Sequence, residues 1–303
     1  MKIGVVGAGS IGLYYGGLLA RAGYDVHFLL RSGFDEARRD GIRIFSPEGD
    51  FHLPAPQIYR DHAAIGPCDL IIVSLKATSN AALKELLPPL LHSETMVLTM
   101  QNGLGNEEYL ASLVGGEHIL GGLCFVCLNR PSPASVVHIG HGRISIGEFG
   151  RPPQPRTHAL HSAFLQVGIH ADLVENLAEE RWRKLVWNVP FNGLAVARGG
   201  ITVDQILADP VLHAECLALM QEITSTANAL GFAIEPEYGD YQIERTRPMG
   251  AYRPSTLVDF LAGHELEIEP IWGEPLRIAQ KAGIPTPHLA RLYEQLRIAN
   301  RRT

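Results

Sequence analysis

The stretch Ile3-Gly4-Val5-Val6-Gly7-Ala8-Gly9-Ser10-Ile11-Gly12-Leu13-Tyr14-Tyr15-Gly16-Gly17-Leu18-Leu19-Ala20 decides the fold. A G-x-G-x-x-G run alone is weak, since 31 glycines among 303 residues produce chance matches. Here the context is specific: a short apolar strand, the glycines, a helical segment ending at Gly23, and a second apolar run, Val26 to Leu30. That order is the first strand–helix–strand unit of a dinucleotide-binding fold. Gly7 permits the tight turn, Gly9 lets the backbone approach a pyrophosphate, and Gly12 lets helix and strand pack closely. The helix N-terminus, with Ser10 and Ile11 in its first turn, then faces the phosphate charge.

The end of the second strand selects the cofactor. An acidic residue there holds the ribose hydroxyls of NAD, whereas a cation suits the extra phosphate of NADP. This chain reads Leu30-Arg31-Ser32, with no carboxylate before Asp35 and Glu36. The planar fork of Arg31 matches a phosphate and Ser32 adds a hydroxyl, so the expected cofactor is NADP(H).

Working outward, short apolar runs alternate with helical stretches to about residue 150. Ile42 to Phe45 and Phe51 to Leu53 flank a Ser-Pro-Glu-Gly turn and read as a hairpin. Asp69 to Leu75 is a continuous apolar strand, as a sheet covered on both faces requires. It ends at Lys76; the strand Thr95 to Met100 ends at Gln101-Asn102-Gly103. Ligands of such sheets bind beyond the carboxyl ends of the strands, which places Lys76 and Asn102 toward the cofactor. Val136 to Ile139 and Arg143 to Ile146, broken by Gly140-His141-Gly142, suggest a further hairpin. From about Glu175 the periodicity turns helical. Asp209-Pro210 reads as a helix start, Pro254-Ser255-Thr256 as another, and Pro287 opens a last helix running into the basic end Arg297 to Arg302. The expected architecture is α/β: a Rossmann-like domain over residues 1–174, then an all-α substrate and dimerisation domain over 175–303.

Composition narrows the function. The chain is 46% hydrophobic and 19% charged, which suits a folded globular protein with a full core. A net charge of -6 without a basic run argues against a nucleic-acid partner. No apolar stretch approaches a membrane span, and no leader precedes the first strand, so a cytoplasmic location is expected. Four cysteines at this length make no disulfide framework. Cys124 and Cys127 spell C-x-x-C, but within a strand they face opposite sides, and no metal site is expected. The pairs His138/His141 and His158/His161 lack ligands at metal spacing and read as surface or strand-end residues.

Two constellations mark the helical half. Lys184, Asn188 and Asn192 stand four apart, so a helix lines one ammonium and two amides along a face. Such a face orients a small polar ligand and offers a proton donor. A solvated polar stripe is the alternative, and Pro190 adds a kink near Val186. The second is Pro254-Ser255-Thr256, where Ser255 either holds a carboxylate or caps its helix. The alternating Glu265, Glu267 and Glu269 follow, of which one or two can face a site.

With these residues the chain resembles the ketopantoate reductase (2-dehydropantoate 2-reductase) family along nearly its whole length. The shared motifs are the glycine run, Ser74-Leu75-Lys76, Gln101-Asn102-Gly103, and Trp182-Arg183-Lys184 with Asn188 and Asn192. Ser255 twelve residues before Glu267, and Gly283-Ile284-Pro285-Thr286-Pro287, complete the set. The resemblance implies NADPH-dependent reduction of a 2-oxo acid in the pantothenate and coenzyme A pathway. It makes Lys184 the general acid and Glu267 a carboxylate that organises substrate and cofactor. It gives Asn188, Asn192 and Ser255 to the substrate, sets Lys76 and Asn102 between cofactor and substrate, and leaves a homodimer open. The chain departs from the family where Leu266-Glu267-Ile268-Glu269-Pro270-Ile271-Trp272-Gly273 replaces the usual Thr-Glu-Ile-Asp-Tyr-Ile-Asn-Gly. Pro190 and Pro275 also fall where a smooth helix is common. These changes leave the reductase chemistry in place and make a related 2-oxo acid an alternative substrate. Two rival functions are another two-domain NADP-dependent hydroxyacid dehydrogenase and a non-catalytic NADP-binding sensor. The intact Lys184, Asn188, Asn192 and Glu267 set weighs against a sensor.

Overall fold

The computed structural model describes residues 1–301; Arg302, the last of the basic end, lies outside the described residues. The chain forms two compact units, Met1–Gln101 with Asn106–Leu177, and Asn102–Gly105 with Ala178 onward.

The first unit is a ten-stranded sheet with helices. Its strands are β1 (Lys2–Val6), β2 (Asp25–Leu29), β3 (Ile42–Phe45), β4 (Phe51–Leu53), β5 (Gln57–Tyr59), β6 (Leu70–Val73), β7 (Met96–Thr99), β8 (Ile119–Ser132), β9 (Ser135–Glu148) and β10 (Ala171–Leu173). Their order is β5-β2-β1-β6-β7-β8-β9-β3-β4, with β10 on β9. The run from β5 to β8 is parallel. Val5, Ile71, Ile72 and Val97 have no solvent exposure, the signature of strands buried on both faces. The first helix, α1 (Ser10–Arg21), packs Leu13, Tyr15 and Leu19 into that core.

The hairpin expected at Gly140-His141-Gly142 is absent. Strand β9 runs through that segment and pairs antiparallel with β8, the reversal lying at Pro133-Ala134. The glycines instead mark a bulge, with register shifts beside it and positive φ at His141 (64°) and Gly142 (123°). The bulge also corrects the reading of His138. That ring is buried, with Nδ1 at 3.1 Å from the Tyr14 hydroxyl and 2.9 Å from Ser46 Oγ, and Nε2 at 3.0 Å from the His141 carbonyl. Burial and the nearby Glu48 carboxylate push the Tyr14 phenol up to about 12.

The second unit is helical. Its main pieces are Leu177–Ala197, Pro210–Ala229, Tyr238–Thr246, Ser255–Leu261, Glu274–Lys281 and Pro287–Asn300. Asp209 caps Pro210–Ala229, its carboxylate accepting the N–H groups of Val211 (2.8 Å) and Leu212 (3.1 Å). Pro190 lies inside a helix that continues past it to Ala197. A core of Phe191, Leu194, Cys216, Leu219, Trp272 and Leu292 holds the unit together. No helix among the described residues is long and apolar enough to cross a membrane.

Candidate active site

In the first unit the phosphate cradle is made of backbone. Gly7 has φ +97°, and a Cβ there would stand 2.2 Å from the Leu75 amide nitrogen. At Gly12 a Cβ would meet Ser74 Oγ at 2.5 Å and the Gly7 carbonyl oxygen at 2.6 Å. Ser74 Oγ itself donates to that carbonyl at 2.7 Å, which fixes the turn. Gly9 differs: its Cβ would find only the Gly7 oxygen, at 4.0 Å, so the space in front of it is open. The helix that starts at Ser10 has no side-chain cap and no acid in its first turn. Its first N–H groups and the positive end of its dipole are therefore turned to that space, and a pyrophosphate fits them.

Past β2, Arg31 and Ser32 are exposed. Both nearby carboxylates are committed elsewhere. Asp35 pairs with Arg60 at 2.5 Å, and Glu36 accepts from Ser132 Oγ and, at 3.3 Å, from the Ala134 N–H. Gly33, with φ +78°, lets Pro133 come so close that a Cβ would clash at 2.3 Å. The loop after β2 therefore presents a guanidinium and a hydroxyl with no competing acid, which suits a phosphomonoester.

Lys76 follows β6 and precedes the short 3-10 segment Ala77–Ala82. Beside it runs a network that sequence reading missed. Gln101 Nε2 donates to the Leu75 carbonyl (2.8 Å) and to Asn80 Oδ1 (2.7 Å), and Asn80 Nδ2 donates to Asn106 Oδ1 (2.9 Å). Asn80 carries no local pattern that would mark it. Only strand pairing between β6 and β7 makes it a neighbour of Gln101.

In the second unit Lys184 Nζ donates to Asn102 Oδ1 at 3.0 Å, so the first sequence constellation meets the Gln101-Asn102-Gly103 motif. One turn on, Asn188 is buried at 8% exposure, and Asn192 at 2%. Asn192 Oδ1 accepts the Thr256 N–H at 3.0 Å and, more loosely, Ser255 Oγ at 3.4 Å. These contacts fix the amide's orientation and leave Nδ2 as its group for a ligand, a donor suited to a carboxylate or hydroxyl. Ser255 makes no side-chain cap for its helix; its hydroxyl turns to Asn192 instead.

Of the three glutamates, Glu265 is exposed. Glu269 is held by Tyr293 Oη at 2.7 Å and Arg277 Nη1 at 2.8 Å. Burial pushes its carboxyl up, but those two hydrogen bonds bring it below the usual range. Glu267, between buried Leu266 and Ile268, is half-buried. The Arg183 of the Trp-Arg-Lys motif is structural. It binds Glu179, Glu235 and the Ala233 carbonyl, and its hydrogen bond lowers the Glu235 carboxyl to about 2. None of the four cysteines is in a disulfide, and no cluster of three potential metal ligands occurs among the described residues.

The family model "Ketopantoate reductase PanE/ApbA" matches residues 3–151, and "Ketopantoate reductase PanE/ApbA C terminal" matches 176–300. The chain is 38% identical over 306 residues to the 2-dehydropantoate 2-reductase of a Nostoc species, covering 99% of this chain and 96% of that protein. Among solved structures, the 2-dehydropantoate 2-reductase of Geobacter metallireducens superposes with a TM-score of 0.96 at 44% identity, over 99% of this chain and all (100%) of that one. The enzyme of the same name from Methylococcus capsulatus gives 0.92 at 30% identity, over 100% of this chain and 97% of that one.

Proposed function

Since the chain belongs to the ketopantoate reductase family, we propose that it reduces 2-dehydropantoate to pantoate with NADPH. The observation that carries this reading is the 3.0 Å hydrogen bond from Lys184 Nζ to Asn102 Oδ1, on a helix face continued by Asn188 and Asn192. A cation held by a neutral amide, with amide donors one and two turns away, is what reduction of a 2-oxo acid needs.

The nicotinamide, when bound, supplies a hydride to the carbonyl carbon. Negative charge then grows on the carbonyl oxygen. The Lys184 ammonium stabilises it and transfers a proton to it, so ketone, hydride and proton become the alcohol. Asn102 holds the ammonium in place by accepting one of its three N–H groups. Asn192 Nδ2 and Ser255 Oγ bind the substrate carboxylate or hydroxyl, Asn188 adds a further amide, and these groups fix the carbonyl's orientation. Glu267 accepts from a substrate hydroxyl or organises the nicotinamide ribose. In the first unit Gly7, Gly9, Ser10, Ile11 and Gly12 hold the pyrophosphate, Arg31 the 2′-phosphate, and Lys76 the cofactor near its reactive end. A cytoplasmic home agrees with four cysteines that form no disulfide.

The test is NADPH consumption with a panel of 2-oxo acids that includes 2-dehydropantoate. The reading expects the highest kcat/KM for 2-dehydropantoate or for a close branched analogue. Turnover of none of the panel, with NADPH bound, would leave only the sensor function.

A further inference from the structure

Inside the second unit the segment around Pro270 and Trp272 meets the helix that carries Pro190. Glu269–Gly273 is a π-helical turn, two residues after Glu267, with Pro270, Ile271 and Trp272 buried. Such widened turns recur at functional sites. Pro270 stands in the first turn of this segment, where a missing N–H leaves no helical bond unmade.

Trp272 has no solvent exposure, and its indole Nε1 donates to the Val189 carbonyl at 3.0 Å. Val189 precedes Pro190. A residue before proline resists the α conformation, and Pro190 cannot bond back to Val186. The indole N–H therefore holds the Val189–Pro190 peptide plane, which the helix can bond only on its carbonyl side. That plane stands between Asn188 and Asn192. Gly193 makes the approach feasible, because a Cβ there would stand 2.9 Å from Trp272 Nε1 and 2.6 Å from Leu292 Cδ2.

The same turn holds the other partner. The Pro270 carbonyl accepts the Leu104 N–H at 2.8 Å. It lies so close to Gly103 that a Cβ there would come within 2.3 Å of the carbonyl oxygen. Gly103, at φ +83°, follows Asn102, the acceptor for Lys184. Glu269 anchors the turn from behind through Tyr293 and Arg277.

We propose that Trp272 is a positioning residue for the reduction. Its bond to Val189 offsets the proline in the helix and sets Asn188 and Asn192 against the Lys184–Asn102 pair, which the same turn holds through Pro270. This rests on the function proposed above.

A double-mutant cycle tests it. Trp272→Phe keeps most of the ring and removes the N–H; Pro190→Ala gives the helix back its missing donor. Trp272→Phe alone should lower kcat about tenfold with NADPH affinity unchanged, because misplacement of a catalytic array by a fraction of an ångström already costs that much. In the Pro190→Ala background the loss should shrink below about threefold, since the helix then holds its own backbone. Trp187→Phe is the control. It removes an indole N–H from the same helix, bonded to Thr246 Oγ1 at 2.9 Å, and should leave kcat unchanged. Equal losses from Trp272→Phe in both backgrounds, or no loss in either, would overturn the proposal. A readout without turnover separates it from the proposed function: the rate of Lys184 acetylation by acetic anhydride, followed by mass spectrometry. Trp272→Phe should change that rate in the native background and not with Pro190→Ala, whichever 2-oxo acid is reduced. An unchanged rate in both sinks the positioning role alone.

Discussion

At the Gly7–Gly12 turn an added Cβ collides with backbone, at 2.2 Å for Gly7 and 2.6 Å for Gly12. Along Leu177–Ala197, by contrast, the polar groups are held by partners distant in sequence: Lys184 by the Asn102 side chain, Asn192 by the Thr256 N–H, and the Val189 carbonyl by the Trp272 indole. The proposed cofactor site thus relies on a shape that only glycine permits. The proposed chemical site relies on donors and charges whose positions depend on partners far along the chain. Binding and chemistry should therefore separate cleanly under mutation.

The sharpest separation is expected at Lys184. General acid catalysis contributes about a hundred- to ten-thousandfold, so Lys184→Ala should lower kcat by that range. NADPH affinity, measured by fluorescence titration, should stay within about twofold, because a proton donor acts in the transition state. A kcat loss under about tenfold with NADPH still bound would make the lysine a structural residue, and the contrast between the units would collapse.

Arg31→Asp probes the other side. A charge-assisted hydrogen bond to phosphate contributes about 1.5–3 kcal/mol, so NADPH should bind about ten- to a hundredfold more weakly. NADH affinity should rise or hold, since the new carboxylate can take the ribose hydroxyls. Saturating kcat should change little. Equal affinities of the unmodified protein for NADPH and NADH would remove the assignment of Arg31 to the 2′-phosphate.

The same contrast explains what was legible in the sequence. A backbone cradle must be written locally, so Gly7, Gly9 and Gly12 announced themselves within one strand–turn–helix. The stripe Lys184, Asn188 and Asn192 was legible as helical spacing, and the resemblance gave it a role. Its partners were not. Asn80 joins Gln101 only through strand pairing, and the Thr256 amide reaches Asn192 across 64 residues of chain. Trp272 looked like a departure because no local rule says that an indole can serve a proline 82 residues earlier. The bulge at Gly140-His141-Gly142 passed for a hairpin because both put positive φ at glycine. Only the partner strand distinguishes a reversal from a kink, and that same ambiguity hid His138 in the core.

Glu267→Gln asks how far charge matters within the second unit. The substitution keeps shape and removes the carboxylate's charge. If Glu267 organises the substrate, KM should rise and kcat fall, together lowering kcat/KM about tenfold, the cost of one charged hydrogen bond. NADPH binding should weaken only if the ribose is its partner, so the two titrations distinguish the roles. Unchanged kinetics on the best substrate would make Glu267 a solvated residue.

The smallest effect is expected at Glu269, which anchors the Pro270–Trp272 turn without facing a ligand. Its carboxyl is pushed up by burial but brought net below the usual range by Tyr293 and Arg277. A carboxyl with a depressed folded pKa contributes stability above its unfolded pKa, near 4.3, and loses it as pH falls through the lower folded value. The pair is largely exposed, so the contribution is at most about 1 kcal/mol. Glu269→Gln should therefore lower the Tm slightly at neutral pH, and the gap from the unmodified protein should close as pH falls below about 4. The Gly7–Gly12 cradle contains no titratable group, so its geometry gives NADPH affinity no matching loss across that window. Thermal melts of both proteins at neutral and acid pH measure the gap. A gap of the same size at both would show that Glu269 acts through packing rather than charge.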